Sequence, residues 1–323
     1  MNNAKNIYVH LDLESGMPVV RTGGARYTGL MRRSDKEAFQ RDLTYYGGHS
    51  PMTQPRACRE AVLALPHDVL ALCDAVQGLV IHVLHGKRYN VELPFERQAL
   101  VQVYRASDML DQLLQEDSRP LAEARSPEKR FVGTCRHFSV LLCCFLRTHR
   151  YSARVRNGFS AYLKPGVFSD HWVCEYWNPE RDKWMTVDAQ MDAVHRQVLN
   201  IPFDHLDVPH DEQVLAGEMW RRCCAGQEDP MRCGSMNLWG MDYVRGNLIR
   251  DVAALNKMEM LPWDGADLSE KPSDELTPGD FELLDCLADQ TAPEVHGDAL
   301  RAIFGMRPEL HPRELPMKHT LPD

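Results

Sequence analysis

What this chain lacks excludes most classes of function. It has no run of roughly 18 consecutive apolar residues of the kind that spans a membrane, and Met1 to Asn6 lack the apolar core of a signal peptide. The expectation is a soluble, cytoplasmic protein with no membrane partner. A basic surplus is absent too, because the formal net charge is -9, so nothing draws the chain to a phosphate backbone and no nucleic-acid partner is expected. There is no glycine-rich phosphate loop and no HExxH pair. The clusters that contain metal-ligand types, Cys223-Cys224 with Cys233 and His205, Asp207, His210 with Asp211, lack the paired two-residue spacing of zinc sites, so neither a metal nor a cofactor is expected. Ten cysteines are present, and two vicinal pairs, Cys143-Cys144 and Cys223-Cys224, bridge only with strain. They are expected as free thiols, most of them small core residues.

With 323 residues the chain buries a full core without such staples. Alternation over residues 7 to 21 predicts an N-terminal hairpin. Apolar residues at three- and four-residue spacing predict helices over Arg59 to Leu65, Asp68 to Val83 and Leu100 to Gln115, completing an N-terminal lobe over 1–118. A catalytic core is expected over 119–200, beginning with a polar linker. A helical extension over 201–323 follows, with helices at Asp211 to Cys224 and Gly246 to Met260, a loop over 264–280 and a helix that starts at Thr277-Pro278. The last fifteen residues predict a weakly ordered tail. Nothing in the sequence sets an oligomeric state.

The chemistry concentrates in Gly133-Thr134-Cys135-Arg136-His137-Phe138, then Asp170-His171-Trp172, then Val187-Asp188-Ala189. Residues 134 to 149 predict an amphipathic helix with Gly133 allowing a sharp turn into it and Thr134 as its cap. Cys135 then sits in the first turn, where unpaired N–H groups and the helix dipole favour a thiolate and stabilise an oxyanion. His171 to Trp177 and Trp184 to Gln190 predict two antiparallel strands about the polar turn 178–183. If Trp177 faces Trp184, or the register shifts by two residues, His171 and Asp188 are direct or diagonal neighbours on one face. The carboxylate then orients the imidazole while the other ring nitrogen faces the thiol.

These three motifs resemble the transglutaminase-like cysteine-enzyme superfamily, in particular its bacterial members, over roughly residues 125 to 195. Tyr45 to Pro51 and Gly246 to Arg250 share in the resemblance. It implies an α+β fold with a papain-like core, a cysteine-bearing helix packed on an antiparallel sheet, here with additional N- and C-terminal helical segments. It also implies Cys135 as nucleophile, His171 as general base and Asp188 as orienting acid. The chain has Arg136 where animal transglutaminases carry tryptophan and lacks their flanking β-sandwich domains, so protein crosslinking is not implied.

The expected partner is a peptide or small amide-containing substrate. Arg136 is a candidate for binding a substrate carboxylate, Trp172 for lining the acyl pocket, and Asn157 and Gln190 for contacts by proximity. His137, two residues past the thiol, points elsewhere on the helix and is expected to pack. His49 is expected in a loop.

Overall fold

The structure is a computed structural model and describes residues 6–11, 18–23 and 33–313. The chain divides into two units, Met1–Asp42 and Leu43–Asp323. In the first, β1 (Asn6–Leu11) and β2 (Pro18–Gly23) pair antiparallel, as their alternation predicts. Helix α1 spans Arg33–Gly47.

The second unit continues with α2 (Arg59–Leu63), α3 (Val69–Leu79), β3 (Val80–His82), α4 (Phe95–Gln98), α5 (Ala106–Glu116) and β4 (Phe131–Gly133). The centre comprises α6 (Cys135–Thr148), β5 (Ala153–Ser160), β6 (Phe168–Asn178), β7 (Lys183–Val187) and α7 (Ala193–Leu199). After it come β8 (Gln213–Leu215), α8 (Ala216–Cys224), β9 (Cys233–Ser235), β10 (Leu238–Trp239) and α9 (Met241–Leu255). The last helices are α10 (Asp267–Glu270), α11 (Pro278–Gln290) and α12 (Asp298–Met306).

The fold is mixed α+β. A mostly antiparallel six-stranded sheet runs in the order β10-β9-β6-β5-β8, with β7 also on β6; β6 and β9 alone are parallel within it. Helix α6 packs on β5 and β6, while α9 crosses β5 and carries α8 and α11. A shorter parallel pair, β3 and β4, leads into α6. The expected tail falls mostly on residues 314–323, outside the described residues.

Several local expectations shift. The helix expected to reach Val83 stops at Leu79, and the β-branched run Val80-Ile81 becomes β3. The helix expected from Asp211 starts at Ala216, after β8. Helix α9 lies five residues N-terminal of its expected start, and a short α10 interrupts the loop over 264–280. Thr277 does cap α11, accepting from the Asp280 N–H. Strand β5 gives no alternating signal because all eight of its residues are buried, among them Arg154, Arg156 and Asn157.

Those buried arginines carry a network that fixes the layers. Glu175 on β6 accepts from Arg154 Nε at 2.7 Å and Arg156 Nη1 at 3.1 Å, and Arg156 forks onto both oxygens of Asp251 on α9 at 3.0 and 2.8 Å. Burial opposes the Glu175 charge, yet the two guanidiniums hold its carboxyl below the usual range. The Tyr45 to Pro51 segment acquires a place by the same kind of contact. Arg147, near the end of α6, donates to the carbonyls of Tyr46 at 3.2 Å and Ala153 at 2.9 Å, and His49 lies 3.5 Å from the Thr148 hydroxyl.

Candidate active site

Cys135 occupies the first position of α6, so its backbone N–H has no acceptor within the helix. Gly133 matters here for space, since its φ is not positive: a Cβ there would stand 2.7 Å from His137 Cβ. That close approach lets His137 reach back. Its Nδ1 accepts from the Thr134 N–H at 3.0 Å, and its Nε2–H donates to the Val103 carbonyl at 2.9 Å. Burial, then the Arg136 charge, pushes the His137 imidazole down to about 3, so it stays neutral. It is the third residue of a capping box, with histidine in the position usually held by Glu or Gln.

The hairpin that carries the next two side chains has Trp177 opposite Trp184 and Asn178 opposite Lys183, with Asp182 at φ 50° in its turn. In that register Asp188, the first residue beyond β7, is the diagonal neighbour of His171. Its Oδ2 lies 2.8 Å from His171 Nε2. This leaves Nδ1 as the ring nitrogen free of Asp188, and Cys135 lies near enough to act electrostatically on the imidazole. Burial disfavours the imidazolium, but the Asp188 carboxylate and then Cys135 outweigh it and raise His171 to about 10. Asp188 is itself held below the usual carboxylate range: burial opposes its charge, while His171, Tyr162 and the Gln190 N–H favour it. Cys135 is 9% exposed, whereas Cys143, Cys144 and Cys174 are fully buried.

The four candidate substrate contacts divide. Arg136 is wholly buried, and its guanidinium donates to the carbonyls of Tyr104, at 2.7 Å, and Glu259. These contacts tie the helix start to two distant loops. Asn157 and Trp172 are register partners across β5 and β6, and Gln190 gives its N–H to Asp188 Oδ1 at 2.9 Å. Asn157 Oδ1, Trp172 Nε1 and Gln190 Oε1 are buried atoms with no hydrogen-bond partner among the described residues.

Three features escaped the sequence analysis. Tyr162, in the β5–β6 loop, donates to Asp188 Oδ2 at 2.6 Å; a tyrosine in a loop gives no periodic signal. Asp170, beside His171, accepts from Asn157 Nδ2 at 3.1 Å, Asn247 Nδ2 at 2.9 Å and the Tyr243 hydroxyl at 3.0 Å, so part of the Gly246 to Arg250 segment holds the start of the histidine strand. Beside β4, His82 stands opposite Gly133 and stacks on His85 at 4.4 Å; His85 Nδ1 meets His195 Nε2 at 2.9 Å, and His195 Nδ1 meets Asp192 at 2.9 Å. The only sequence signal for that chain was the histidine spacing at 82 and 85.

Among the described residues no group of three or more His, Cys, Asp or Glu side chains is arranged to hold a metal ion. His205 Nδ1 contacts Arg196, and His210 Nε2 contacts Glu218. No helix among the described residues is long and apolar enough to cross a membrane.

No family model matches the chain, and no curated protein matches it. Among solved structures it shows a distant likeness to a candidate cysteine protease from Cytophaga hutchinsonii, with 16% sequence identity, a TM-score of 0.33 and coverage of 54% of this chain. The chain spans 45% of that structure's length.

Proposed function

We propose that the chain is a cysteine-dependent acyl-transfer enzyme that cleaves an amide or peptide bond through a thioester. One observation carries the reading: a buried imidazole held at 2.8 Å by Asp188 has its proton affinity raised by that carboxylate and then by a thiol at the first position of a helix. Cys135 Sγ attacks the carbonyl carbon, the C–N bond breaks, and the proton on His171 goes to the leaving amine. The Cys135 N–H is the oxyanion donor. Asn157 Oδ1, Trp172 Nε1 and Gln190 Oε1 supply groups for the N–H and C=O of an amide. Water then attacks the thioester, His171 takes its proton and the thiolate leaves. Hydrolysis is preferred because water requires no second binding site; an amine in its place would make the enzyme an amide-forming transferase by the same steps.

The test uses p-nitrophenyl acetate as an activated acyl donor, with acid-quenched protein weighed intact. An acyl adduct that maps to Cys135 and is absent from Cys135→Ala supports the reading. Equal adducts on both proteins would remove it.

A further inference from the structure

The Asp188 carboxylate accepts three hydrogen bonds, and their distribution is uneven. Oδ1 accepts the Gln190 N–H at 2.9 Å, while Oδ2 accepts both His171 Nε2–H at 2.8 Å and the Tyr162 hydroxyl at 2.6 Å. The nearby Tyr89, Asp192 and His195 make a contrasting set. There the tyrosine takes Oδ2 at 2.6 Å, while the His195 backbone N–H and the His195 ring share Oδ1, each at 2.9 Å, so the two side chains meet different oxygens. At Asp188 the backbone N–H is on Oδ1 and both side chains converge on Oδ2.

We infer that Tyr162 is a positioning residue that competes with His171 for Asp188 Oδ2, holding the carboxylate in place while weakening its pull on the imidazole proton. Two partly positive hydrogens on one oxygen divide its negative charge. The phenol keeps its proton, because burial and then the Asp188 charge raise it well above its ordinary value. Its ring meets the His171 ring edge-on at 6.0 Å and the Phe203 ring at 5.2 Å, which fixes the hydroxyl over the carboxylate. Asp188 and Cys135 raise His171, and His171 in turn helps to keep the nearby imidazoles of His82 and His85 neutral. Tyr162 and His171 both donate to the same oxygen of Asp188.

The catalytic role of His171 rests on the function proposed above; the competition for Oδ2 does not. The test therefore uses Cys135→Ala protein, where the thiol no longer raises His171, and follows the His171 ring nitrogens by NMR as pH is varied. Adding Tyr162→Phe is expected to raise the imidazole pKa by about half a unit, roughly a threefold gain in proton affinity. Replacing Tyr162 by 3-fluorotyrosine, a stronger donor of the same shape, is expected to lower it. A purely structural tyrosine would leave the titration in place, and no movement, or movement of both variants in one direction, overturns the inference. An inert Cys135 would sink the enzyme reading without altering this measurement.

Discussion

Trp177 and Trp184 face each other across the β6–β7 hairpin with ring centroids 5.9 Å apart, and that pairing sets Asp188 against His171. A one-residue slip would turn every β7 side chain to the other face of the sheet. The chemistry of the site therefore depends on a register held fifteen or so ångströms along the hairpin by two indoles.

Asp188→Asn keeps the shape of the side chain and removes the charge that stabilises the imidazolium. Acylation by p-nitrophenyl acetate, followed as the burst of p-nitrophenolate, should fall by about a hundredfold or more. A burst at the wild-type rate would mean that His171 needs no carboxylate.

The stability of the protein should decline with alkali because of His171. Its folded value of about 10 exceeds the unfolded value of about 6.5, so the folded state binds the extra proton more tightly. That contribution is fully present below about pH 6.5 and is lost as pH rises through about 10. Asp188 has the opposite sign, its contribution being present above the ordinary carboxylate range and lost as pH falls through its lowered value. Melting temperatures of wild type should drop more steeply between about pH 7 and 10 than those of His171→Ala. Parallel curves would contradict the assignment.

Arg136→Met tests an anchoring role against a substrate role. Leaving the Tyr104 and Glu259 carbonyls without their charged donor should cost about 2–4 kcal/mol in urea unfolding, while the KM of the folded fraction stays near wild type. A raised KM with unchanged stability would restore Arg136 as a substrate contact.

Gly133→Ala places a methyl 2.7 Å from His137 Cβ. Displacing His137 breaks its bonds to Thr134 and Val103, so a loss of about 2 kcal/mol or more is expected, with slower labelling of Cys135. Wild-type behaviour would show that the helix start has slack.

The parts of the site visible in the sequence are those set by local rules. Thr134 before an apolar helix marks its start, and the tryptophan-flanked polar turn marks the hairpin and hence the Asp188 position. What was hidden depends on long-range contacts. Tyr162 reaches Asp188 from a loop, Asn247 and Tyr243 reach Asp170 across more than seventy residues, and Arg156 is buried because Asp251 lies ninety-five positions away. Charged residues inside β5 masked its strand pattern, because the partners that make their burial tolerable come from β6 and α9.

The most direct test of Cys135 as an activated thiol is its alkylation by iodoacetamide near neutral pH, mapped by peptide mass spectrometry. The reference is Cys224, the exposed cysteine among the ten. Cys135, although nearly buried, should label about tenfold faster or more, and His171→Ala should remove that advantage. Labelling of Cys135 no faster than Cys224, and indifferent to His171, would contradict the account.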